Sequence, residues 1–242
     1  QSSSAASSDA AAAVGSESSA FEDVVAAFDV SALDLGYSKR DLDASYDEAS
    51  ATRIALSGSS ASVDGLGAAV DGSTVTISSE GTYIISGELS SGQIVVDASD
   101  DAKVQLVLAG ATIHNENGPA IYAKNVDKCF VTLADGTQNS LSDGTDYTLE
   151  DDSDEPYATL FCRCDLTING TGALNVTANY RHGICSKDDL VVTGGTLNVT
   201  AVEDCLRGRD CVKIADGSFS LVAGGDGIKS NKDTEGTQGF VS

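Results

Sequence analysis

Apolar and polar residues alternate in short runs along most of this chain, and the runs return at a fixed interval. The phrases "HGICS", "DCLRG" and "DGIKS" register on Ile184, Leu206 and Ile228, with 22 residues between successive anchors. Six residues after the first two anchors, Leu190 and Val212 open alternating runs, and each run ends at a Gly turn. Second runs follow, placing Leu197/Val199 and Phe219/Leu221 on one face. The preceding unit repeats the plan with two extra residues, through Leu160, Leu166/Ile168 and Leu174/Val176. A looser copy, "GPAIYAKNVDKCFVTL", stands before it. Alternation of this kind predicts strands with one buried face.

A unit of about 22 residues cannot bury such a face alone, whereas stacked copies cover one another. The leucine-rich consensus with this period is absent, and no helix fits inside the unit. The pattern therefore predicts an all-β fold, a single-stranded parallel β-helix with coils of about 22 residues. "STVTISSEGTYIISG", "GQIVVDAS" and "KVQLVLAGATI" read as irregular early coils. Three regions follow. Residues 1–20 form a Ser/Ala-rich linker, and residues 21–70 an acidic linker or cap. That cap is partly helical, with Phe21, Val24, Val25 and Phe28 on one face. Residues 71–242 form the repeat domain, which is C-terminally incomplete because "DGIKSNKDTEGTQGFVS" opens a coil and stops. The Ser/Ala start suits a tether left after an export signal is removed, giving an extracellular or bacterial cell-surface protein with cell-envelope anchoring.

Charge narrows the partners. With 14 basic and 37 acidic side chains the net charge is -23, which repels nucleic acid and anionic membranes and attracts cations. No apolar run is long enough to span a membrane.

Stacking at about 4.8 Å turns equivalent positions into columns. Two residues before the anchor stand His182, Asp204 and Asp226; four after it stand Cys164, Asp188, Asp210 and Lys232. Two carboxylates at that spacing repel by about 1 kcal/mol in water, and by about 3–4 kcal/mol at an effective dielectric near 20. Calcium would relieve this with oxygen ligands, making Asp188, Asp204, Asp210 and Asp226 metal candidates. An ordinary turn role for Asp before Gly explains Asp204 and Asp226 equally well. Asp154 and Glu155 join the metal candidates from the acidic insertion "SDGTDYTLEDDSDEPY", which also reads as a solvated loop. A basic column, Arg163, Lys187 and Arg209, runs beside Arg207 and Lys229. It would grip an anionic polymer or neutralise the Asp column. Asn169, Asn175 and Asn198 sit in Asn-x-Thr sequons that alternation on strands also explains.

Six cysteines in the second half allow up to three disulfides. Cys129 and Cys164, each two residues before an inward apolar residue on coils expected to be adjacent, form the first candidate pair. Cys162 also suits a buried thiol.

Taken together, "SGELSSGQIVVDA", "VQLVLAGATI", "GPAIYAKN", "NSLSDGTDY", "DEPYATLF", "DLTINGTGALNV", "HGICSKDDLVVTGGTLNVTAVEDCLRGRD" and "AGGDGIKS" resemble a bacterial family. It comprises secreted carbohydrate-binding proteins with a right-handed, polysaccharide-lyase-like parallel β-helix. The resemblance covers roughly residues 80–242. It implies bound calcium and affinity for cell-wall polysaccharide, cellulose or acidic pectin-like polymers, without catalysis. His182 and Cys205 depart from the family's Asp-Gly-Ile phrase. The alternatives are a uronic-acid lyase, with Lys187, Arg209 or Lys229 as base, and a structural or adhesion protein with no glycan ligand.

Overall fold

The computed structural model describes residues 33–232 and 237–242. The linker expected over 1–20 and the helical face at Phe21–Phe28 lie outside the described residues. Leu35–Ser242 forms one compact unit of nineteen strands, numbered in chain order, with no α-helix among the described residues.

The right-handed single-stranded parallel β-helix predicted from the repeat is overturned by the strand pairing. Six parallel strands close into a hydrogen-bonded, barrel-like ring: β7 (Lys103–Asn115), β9 (Lys128–Leu133), β12 (Asp165–Gly170), β15 (Asp189–Ala201), β13 (Ala173–Ala178) and β10 (Gln138–Asp143). The ring closes because β10 pairs back onto β7, Leu141 beside Ile113. The cause lies at two glycine sites, one of them the TGG that the alternation marks as a turn. β7 runs on through Gly110, and β15 runs on through Gly194 and Gly195. The first half of β7 pairs with β9 and its second half with β10. The two halves of β15 likewise pair with β12 and β13. Long strands that turn a corner thus join ladders that the reading kept apart.

Strands β5 (Gly81–Leu89), β1 (Thr52–Gly58) and β2 (Ser60–Asp64) extend the ring from β7, and β17 (Cys211–Ala223) with β19 (Phe240–Val241) extends it from β15. The remaining strands form a mixed sheet in the order β18 (Ile228–Ser230), β16 (Leu206–Gly208), β14 (His182–Ser186), β11 (Ala158–Cys162), β8 (Ile121–Asn125), β6 (Gln93–Asp97), β4 (Thr74–Ile77) and β3 (Ala68–Asp71). Its one antiparallel pair is β3 with β4. The repeat interval survives as register: Leu160, Ile184, Leu206 and Ile228 are successive partners across β11, β14, β16 and β18. These anchors join one core that also takes in Leu174, Leu197 and Val199 of the ring.

A strandless stretch, residues 35–51, lies on the outer face of the ring. Arg40 stacks over Phe130, 4.5 Å from its ring centre. Asp41 is buried, 2.8 Å from Lys128 Nζ, and its carboxylate accepts from Thr167 at 2.6 Å and from the Ser38 amide at 2.9 Å. Burial raises this carboxyl's pKa, but the Lys128, Thr167 and Ser38 hydrogen bonds prevail and bring it to about 2.

The cysteine pairing is also corrected. All six cysteines are buried free thiols. The ladder sets Cys129 beside Leu166, two residues away from Cys164, so the expected alignment is two residues out and no Cys129–Cys164 bridge forms.

Two predictions follow from this packing. Asp41 has a folded pKa below its unfolded value, so its contribution is complete above about pH 4 and lost as pH falls through about 2. Asp41→Asn is expected to lower stability at pH 7 by about 2 kcal/mol and to flatten the acid dependence in that window, read by denaturant titration at each pH. Gly87 has φ +91°, and a Cβ there would stand 2.4 Å from the Leu56 carbonyl oxygen. Gly87→Ala should cost at least about 2 kcal/mol. Gly110→Ala, at φ +82° with nothing within 4 Å, should cost only about 1 kcal/mol. Equal losses would contradict the close approach at Gly87.

Candidate functional site

The outward face of the mixed sheet changes character along the strand order. Near β8 and β11 it is aromatic: Tyr122, Tyr157, Phe161 and Cys185 form a small buried cluster. Tyr157 and Phe161 meet edge to face at 4.7 Å. The acidic insertion is tied to this face. Arg163 donates to Glu150 at 2.6 Å and to Glu155 at 3.0 Å, and Tyr122 donates its hydroxyl to Glu150 at 3.0 Å. At the base of the insertion, buried Asp143 accepts from Tyr147 at 2.6 Å and Thr159 at 2.7 Å.

Toward β14, β16 and β18 the face becomes basic. A cleft of about 340 Å³ is lined by Asp154, Tyr157, Arg181, Lys187, Arg207, Arg209 and Asn231. Strand pairing explains the convergence: the Lys187 amide bonds to Cys162, and the Arg209 amide to Ser186, so the ends of β14 and β16 deliver their cations side by side. Three of these cations crowd the Tyr157 ring, with Arg181 at 5.2 Å, Arg207 at 5.6 Å and Lys187 at 5.8 Å from its centre. Arg181 pairs with Glu203 at 3.1 Å, and Lys187 pairs with Glu155. Arg207 donates to Asn231 Oδ1 at 3.3 Å. Among the described residues the Arg209 side chain has no hydrogen-bond or ion-pair partner.

His182 sits fully buried behind Arg207, with Nε2 2.6 Å from the guanidinium and Nδ1 3.4 Å from Asp204. Burial, and then the Arg207 charge, brings the imidazole down to about 4, although Asp204 and Glu203 oppose this. His182 is therefore neutral at pH 7 and accepts from Arg207, which fixes where that guanidinium points. Burial and then Cys185 push the Tyr157 hydroxyl well above its ordinary value.

Among the residues expected to contact a ligand, Lys187, Arg207 and Arg209 come together in the cleft. Arg163 is engaged beneath the insertion, and Lys229 pairs with Asp226 at 2.8 Å. Sequence reasoning missed Arg181, Tyr157 and Asn231. "RHGICS" and "EPYATLF" carried the first two, each just before a strand, where a side chain is delivered to the sheet rim.

The expected metal ligands divide. Asp204 is buried, accepts from the Asp226 amide at 2.9 Å, and faces Lys229 at 3.7 Å and Arg207 at 3.9 Å. Asp210 holds Lys232 at 2.9 Å and Gln238 at 2.6 Å. Glu155 holds Arg163 and Lys187, and Asp154 stands at the cleft wall. Asp188 has its pKa raised by burial and then by the Asp210 charge. Among the described residues no three His, Cys, Asp or Glu side chains gather as a metal site. Asp188 and Asp210 are neighbours, the Asp210 amide bonding to the Asp188 carbonyl, and Lys232 occupies the Asp210 carboxylate.

Residues 71–242 match the family model described as carbohydrate-binding domain-containing protein. A protein of that description from Acetivibrio thermocellus is 40% identical over 128 residues, covering 52% of this chain and 45% of the relative. The chain thus matches about half of that relative's length. A solved structure, the polysaccharide lyase-like protein from C. thermocellum as a gadolinium derivative, superposes with a TM-score of 0.76 at 36% identity. That match covers 78% of this chain and 77% of the other. On the match over residues 71–242, the chain belongs to the family of carbohydrate-binding domain-containing proteins.

Proposed function

We propose that this chain is a non-catalytic, extracellular polysaccharide-binding protein whose basic cleft holds the carboxylates of an acidic, pectin-like polymer. The observation that carries the reading is the unpaired Arg209 beside Arg181, Lys187 and Arg207. Four cations gather at one place on a chain of net charge -23, and with Arg181, Lys187 and Arg207 facing Glu203, Glu155 and Asp204, Arg209 is the one left to meet an anion. The ladder sets Lys187 and Arg209 one repeat apart, a spacing that suits successive charged sugars of a polymer. Tyr157, flanked by three cations, offers an apolar ring edge to a pyranose face. Binding rather than lyase chemistry is favoured because Lys187 and Lys229, two of the three bases that a lyase would use, are held in ion pairs with Glu155 and Asp226. We propose that calcium acts on stability through Asp188 and Asp210, displacing Lys232 from Asp210 and relieving the part of the Asp188 shift that comes, after burial, from the Asp210 charge.

Retention on polygalacturonate and on cellulose, across a salt series, tests the binding reading. Polygalacturonate should be retained at low salt and released as salt rises. Arg209→Ala, which removes no side-chain hydrogen bond or ion pair of the folded chain and only the Arg209 charge near Asp188, should weaken retention roughly tenfold. Retention of cellulose alone, or an unchanged Arg209→Ala, would contradict it. For calcium, the melting temperature should rise on addition and fall with chelator, and Asp188→Asn should remove the response. A response that persists in Asp188→Asn places the ion elsewhere.

A further inference from the structure

Three of the six buried thiols occupy one corner of the core, where β11 passes into β12. Cys162 and Cys164 face each other with Sγ atoms 3.0 Å apart, inside the contact distance of two non-bonded sulfurs. Cys162 has no exposed surface, whereas Cys164 retains 7%. The main chain bends at Arg163 and Cys164 between the two strands. A bend draws in Cα atoms two residues apart, toward the roughly 4.4–6.8 Å that a disulfide needs. The other thiols have different neighbours: Cys205 approaches the Val199 carbonyl at 3.3 Å, and Cys185 the Ser186 carbonyl at 3.7 Å.

We propose that Cys162 and Cys164 are a redox-active pair, a modification site at which a disulfide closes around Arg163. The oxidant is a small disulfide of the glutathione class. Cys164, the member that reaches the surface, attacks as its thiolate and forms a mixed disulfide, releasing one small thiol. The Cys162 sulfur then displaces the second small thiol and completes the bond between the two cysteines. In total, two S–H bonds of the protein become one S–S bond, and one small disulfide becomes two thiols. Burial holds the Cys162 thiol well above its ordinary pKa, so the pair exchanges slowly in both directions. The residue enclosed is Arg163, whose guanidinium holds Glu150 and Glu155 of the acidic insertion. Glu155 in turn holds Lys187 of the cleft. The bridge would therefore stiffen the main chain on both sides of the arginine that ties the insertion down.

The test is native-state oxidation of the full chain by oxidised glutathione, followed by denaturation, alkylation and mass mapping. The expected product carries four alkylated cysteines instead of six. Trypsin cuts after Arg163, so the bridge should leave the peptide ending at Arg163 joined to the peptide beginning at Cys164. Cys129→Ser should form the same bridge, and Cys164→Ser should form none. Six alkylated cysteines after oxidation, or a bridge that requires Cys129, would overturn the assignment.

Discussion

Hydrogen bonding between parallel strands one repeat apart is the constraint on which the rest of the molecule depends. Because Ile184 pairs with Leu206 and Leu206 with Ile228, each inward residue lands on its predecessor. Each outward residue does the same. The inner row fills a core shared by the ring and the mixed sheet. The outer row carries Lys187 and Arg209 to one place without any loop having to fold over them. A shift of one residue would turn both rows inside out, which is why the buried anchors hold the register so firmly. Core packing and the cleft thus rest on the same backbone ladder.

Much of this was legible in the sequence, and the parts that were not have identifiable causes. The 22-residue interval and the anchors follow from alternation, which also sets Lys187 and Arg209 in one column; that Arg207 joins them in one cleft is visible only in the structure. The closed ring does not, because the Gly194–Gly195 pair looks like a turn in sequence yet β15 runs through it, as β7 runs through Gly110. Alternation records which face a residue occupies but not whether a strand bends or stops at glycine. The cysteine pairing failed for a related reason: aligning Cys129 with Cys164 assumed a register two residues away from the one that Leu166 adopts. Arg181 and Tyr157 escaped because they precede their strands and so belong to no periodic column.

Electrostatics tie the cleft to its surroundings. Most acidic residues of the column meet a cation of the chain itself: Asp204 faces Lys229 and Arg207, Asp210 holds Lys232, and Glu155 holds Lys187 and Arg163. Such partly exposed pairs contribute little each, about 1 kcal/mol or less. Together they fix the directions of long, flexible side chains. His182 does the same for Arg207 from the buried side, as a neutral acceptor. What remains outside this mutual pairing is Arg209, the residue that we propose an anionic sugar engages.

Hydrogen–deuterium exchange of the protein with and without an oligogalacturonide tests the placement of the ligand most directly. Slowed exchange at residues 181–188 and 205–210, with residues 35–51 unchanged, is the result that the cleft predicts. Protection confined to residues 35–51 and the ring beneath them, with no change at β14 and β16, would contradict it.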